Sequence, residues 1–195
     1  MVIVIIEAIK QLLGKKPLVP REEVKRLCAL PKDVARKEMS AIFYDVSVRQ
    51  SSEFVKQELG RGTDSPFHGI SAAALFHEML AVTFWILDTG IAGGKRDLMQ
   101  GLHGHYFNHF SSTNPSEERH RELMDKYAGY EGTWNEITGH QDEFGEQVLR
   151  NIFGQDEDKL IRQRSFWIIT YTHDTMKTIK PLKRLWSAAG SRSAV

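Results

Sequence analysis

Between Pro66 and Thr89 the chain reads PFHGISAAALFHEMLAVTFWILDT, and polar side chains almost vanish. At 100° per residue, His77, Leu80, Ala81, Phe84 and Asp88 fall on one side of a helix. Ala74, Leu75, Glu78, Val82 and Trp85 fall on the next, and Ala72, Phe76, Met79, Ile86 and Leu87 on the third. A helix that is apolar all round is buried, in a protein core or in a membrane. The run 69–87 is long enough for a bilayer. His77 and Glu78 nevertheless sit at its midpoint, where ionisable groups are expensive, and its flanks lack aromatic belts or a Lys/Arg bias. The expectation is a core helix over 66–89 and no membrane span.

The remaining periodicities also read as helices. Val2, Ile5, Ile6, Ile9, Leu12 and Leu13 recur at helical spacing, which predicts an amphipathic arm over 1–19. Gly14 and Pro17 stop it, and Pro20 opens a short helix that runs to about Leu30. Pro31 opens a longer one to Leu59, with a kink expected at the polar run Arg49–Glu53. Ser65-Pro66 reads as a cap and first-turn proline for the central helix. A helix follows over 95–110, with Gly101 and Gly104 inside it as points of close helix approach. Asn114-Pro115 starts another that ends near Gly129, and Thr133-Trp134-Asn135-Glu136 reads as a capping box for the next. The last helix spans 156–180, with its centre Phe166–Thr172 apolar on most sides, and Pro181 ends or kinks it. Ser187–Val195 is expected to be a disordered tail. The sum is an all-α fold: one domain over 1–195, an irregular antiparallel bundle of seven to eight helices, with 66–89 and 156–180 innermost.

Composition narrows the function classes. A net charge of +1 gives no electrostatic reason to expect nucleic acid or an anionic surface. With 41 % hydrophobic residues and 195 positions, the chain can build a core without staples. The single cysteine, Cys28, cannot close an internal disulfide, which fits a reducing cytoplasm. The N-terminal apolar run lacks a basic leader and a small-residue cleavage site, so it reads as a docked helix or a strand rather than a signal peptide, with Ile3 and Val4 available for a dimer contact or a deep groove.

Three clusters could carry chemistry. Glu78 beside His77 must find a partner indoors, because a bare buried carboxylate is too costly. Either an Arg or Tyr of a neighbouring helix satisfies it, or it serves as a metal ligand or acid/base group. His103, His105 and His109 cluster in LHGHYFNHF; His105 and His109 are four apart and share a helix face, so they could chelate an ion with help from Glu78, His77, His173 or Asp174. Iron and zinc are the metals considered, although imidazole does not choose between them. His173-Asp174 is a His-Asp doublet, but no aspartate follows it, as HD-type phosphohydrolases require. His105/His109 with His120/Asp125 match two hemerythrin spacings, yet the residue four beyond His77 is Ala81. Neither resemblance is adopted.

No phosphate loop, dinucleotide fingerprint, nucleophile elbow or zinc-type cysteine pair is present. The leading expectation is therefore a cytoplasmic binding or sensing bundle with a small-molecule pocket or a homodimer face. The alternative is a metal-dependent bundle that activates water or dioxygen.

Overall fold

A computed structural model describes residues 19–92, 96–110, 116–134, 141–154 and 158–190. Seven α-helices make up the described residues, and no strand occurs among them. They are α1 (Arg21–Ala29), α2 (Lys32–Gly60), α3 (Ala72–Leu87), α4 (Arg96–Phe110), α5 (Ser116–Thr133), α6 (Asp142–Phe153) and α7 (Asp158–Gly190). The architecture is an all-α bundle. The expected arm over Val2–Leu13 lies outside the described residues.

The central helix occupies the place its composition dictates. Every residue of α3 from Glu78 to Leu87 is buried. It packs against α2, α5, α6 and α7, while α4 lies on α2, and α6 on α7. Ala72–Ile91 is, among the described residues, the one stretch long and apolar enough to cross a membrane. Of its most apolar window, 67 % is covered by the rest of the bundle.

One polar position inside α3 ties three helices together. Thr83 donates to the Met79 carbonyl at 2.9 Å, and its hydroxyl lies 2.7 Å from Tyr171 Oη of α7. Ser51 of α2 completes the trio at 3.2 Å from the same phenol. This arrangement explains why Arg49–Glu53 does not break α2. Ser51 points inward and is satisfied there, while Ser52 and Glu53 face out.

Several boundaries differ from the sequence reading, each for a tertiary reason. The central helix begins at Ala72, six residues after Pro66. Ser65 instead accepts the Phe67 amide at 3.1 Å and donates to the buried Glu58 carboxylate at 3.2 Å, closing a turn. Gly69 then takes a φ of 84°, a left-handed conformation that interrupts any helix started at Pro66.

α5 runs through Gly129 to Thr133, whose hydroxyl bonds back to the Gly129 carbonyl at 2.8 Å. Thr133 therefore finishes one helix rather than capping the next, and α6 starts at Asp142. Residues 135–140 lie outside the described set.

α7 continues through Pro181 to Gly190, because Leu182, Leu185 and Trp186 are buried beyond the proline. So 187–190 are helical, and only 191–195 of the expected tail fall outside the described residues. α7 buries one face, and Phe166 on the other is 67 % exposed.

The two helix glycines differ. A Cβ on Gly101 would meet Ser40 Oγ at 2.5 Å, so that glycine does permit close approach of α4 and α2. Gly104 has nothing within 4 Å.

Candidate functional site

Glu78 is 2 % exposed and sits where α3 meets α5 and α6. Its charge is met from three directions. Lys126 and Tyr130, four residues apart on one face of α5, donate to its two carboxylate oxygens, Oε2 and Oε1. Asn151 of α6 donates to Oε1 at 2.7 Å. Burial, followed by the Glu78 charge, holds the Tyr130 hydroxyl well above its ordinary pKa, so it stays protonated as a donor. The carboxylate therefore has a cation, a phenol and an amide, which is how a buried charge is tolerated.

Beside Lys126 opens a cavity of about 280 Å³ between α3, α4 and α5. His77, Ala81 and Phe84 come from α3, Tyr106 from α4, and Arg119, Glu122, Leu123 and Lys126 from α5. The Tyr106 hydroxyl lies 3.3 Å from His77 Nδ1. With the phenol as donor, the imidazole carries its proton on Nε2. Burial lowers the His77 pKa, and the charges of Lys126 and Arg119 lower it further. His77 is thus a neutral group in a positive local field. Arg119 also donates to the Phe110 carbonyl at 2.7 Å, covering the last turn of α4.

The other residues singled out in the sequence lie elsewhere. The His105 ring stacks on Tyr44 of α2 at 5.7 Å, and His109 lies 6.4 Å from the same ring. His173 bonds Gln141 at 2.9 Å, and Asp174 pairs with Lys177 at 3.2 Å on the surface. His77 meets Tyr106 and Phe110, and Glu78 meets α5 and α6; Lys126 joins the two, lining the His77 cavity while pairing with Glu78. Among the described residues no group of three or more His, Cys, Asp or Glu side chains is placed to hold a metal ion.

The neighbour-helix tyrosine expected for Glu78 is Tyr130, whereas its lysine and asparagine partners escaped the sequence reading, although the Lys126/Tyr130 spacing on α5 was a readable signal. His103, grouped by the sequence with His105 and His109, has other partners: it is 6 % exposed and 3.1 Å from the Tyr127 hydroxyl, with the His120 ring at 5.4 Å. Burial first and His120 second push its pKa down to about 4.

No protein-family model matches the chain, and no curated protein or solved structure matches it.

Proposed function

We propose that this bundle is a binding module, without chemistry of its own, that takes a small organic anion in the cavity beside Glu78. The observation that carries the reading is the convergence of His77, Tyr106, Arg119 and Lys126 on one half-open cleft between three helices. Lys126 is committed to Glu78, but Arg119 uses only part of its five-donor fork on Phe110. A neutral His77 offers one more N–H. The volume suits a compact ligand such as a short carboxylic acid or inorganic phosphate. Glu122 lines the same space and is its one acidic side chain among the described residues.

The test is an NMR pH titration of the His77 ring, alone and with millimolar acetate, succinate or phosphate. A bound anion stabilises the imidazolium and raises the His77 pKa. Arg119→Gln should weaken that response. Saturable binding of none of these probes, with an unchanged His77 titration, overturns the reading.

A further inference from the structure

The C-terminal end of α3 widens into a π-helical turn, Asp88–Ala92. Such turns recur at functional sites. Beside this one is a cavity of about 700 Å³ between α3, α5 and α7, within the usual range for ligand pockets. Its body is apolar: Trp85, Ile86, Ile91, Trp134, Met176 and Ile179 line it. Trp85 is 3 % exposed, and its indole N–H has no hydrogen-bond partner among the described residues.

The polar side chains of this cavity have a definite charge. Lys180 and Lys183 of α7 lie three residues apart on one helix face and both are exposed. Neither joins an ion pair among the described residues. Glu131 of α5 lines the same cavity. Among the described lining residues, two ammonium groups stand against one carboxylate, a surplus of one positive charge over an apolar body. We infer that this second cavity binds an amphipathic monoanion, a carboxylic acid with an aliphatic or aromatic body, its head at Lys180 and Lys183. This site shares no residue with the cavity beside Glu78 and does not rest on the reading given for it.

Trp85 and Trp134 line the walls, so indole fluorescence reports occupancy directly. The probe is decanoate below its micelle concentration, with decanol as the neutral control of equal length. Decanoate should bind saturably, one per chain, and change the emission. Lys180→Gln with Lys183→Gln, both on exposed positions, should weaken decanoate about tenfold and leave decanol unaffected. Met176→Trp, which narrows the cavity, should weaken both, and Arg119→Gln should weaken neither. Absence of saturable decanoate binding overturns the inference. So does equal affinity for acid and alcohol together with indifference to the double lysine variant.

Discussion

Glu78 shows how far one residue can constrain a bundle. Its three donors come from two other helices, so removing the carboxylate strands a phenol, an amide and an ammonium together. Glu78→Ala should cost about 3–5 kcal/mol in urea denaturation. Glu78→Gln keeps the shape and an acceptor but turns an N–H toward Lys126, so about 1–3 kcal/mol is expected. Adding Lys126→Met to Glu78→Gln should recover part of that loss, a coupling readable in a double-mutant cycle. His103 gives the second residue-scale prediction. Its pKa in the fold is about 4 against an ordinary 6.5. As pH falls below 6.5 the unfolded chain takes up this proton while the folded one does not. Stability therefore drops from pH 6.5 downward and levels off near pH 4, by about 3 kcal/mol for this group. His103→Gln should flatten that part of the stability-versus-pH curve. An unchanged curve would remove His103 as the cause.

At the scale of elements, glycines test which helix contacts are tight. Gly145 of α6 faces α7 so closely that a Cβ would sit 2.7 Å from the Ser165 carbonyl oxygen, a backbone atom that cannot step aside. Gly145→Ala should destabilise by about 1–3 kcal/mol through forced separation of α6 and α7. Gly104 of α4 has open space around it, so Gly104→Ala should stabilise by about 0.5–1 kcal/mol through helix propensity alone. Opposite signs in thermal melts of the two variants check this pair. The same elements show what the sequence made legible. The burial of α3, the extent of α2 and the start of α4 follow from local apolar spacing and proline placement, both written in adjacent residues. The start of α3 and the end of α5 did not follow, because Ser65 and Thr133 serve partners a short-range pattern cannot see. Gly129, read as a helix end, faces α6, where a Cβ added to it would meet the Gln147 side chain at 3.7 Å, and it is carried through by the helix that delivers Tyr130 to Glu78. The ionic site was half legible for the same reason. The need for a partner could be read at Glu78, but its donors lie 48, 52 and 73 residues away.

For the whole molecule, α7 decides whether the bundle unfolds as one unit. It packs along α6 near its start, meets α3 through Tyr171 and reaches α1 and α2 with its last turns. Trp186 is the anchor at that far end. It is 3 % exposed, lies 6.1 Å from the Phe43 ring and carries the Arg36 guanidinium over its face at 5.3 Å. Trp186→Ala should cost about 3–5 kcal/mol by opening a cavity between α7 and α2. Trp186→Phe should cost far less, because the buried Trp186 indole N–H has no partner among the described residues and its loss offsets part of the lost contact. Glu78 acts through α3, α5 and α6, whereas Trp186 acts through α2 and α7, so the two sites share no contact. If one core joins them, Trp186→Ala and Glu78→Ala each move a single transition, with helical circular dichroism and tryptophan fluorescence changing at the same denaturant concentration. Should Trp186→Ala split the transition, with fluorescence and helix content lost at different denaturant concentrations, α7 would be docking onto an independently stable core. The bundle would then be two cooperative units rather than one.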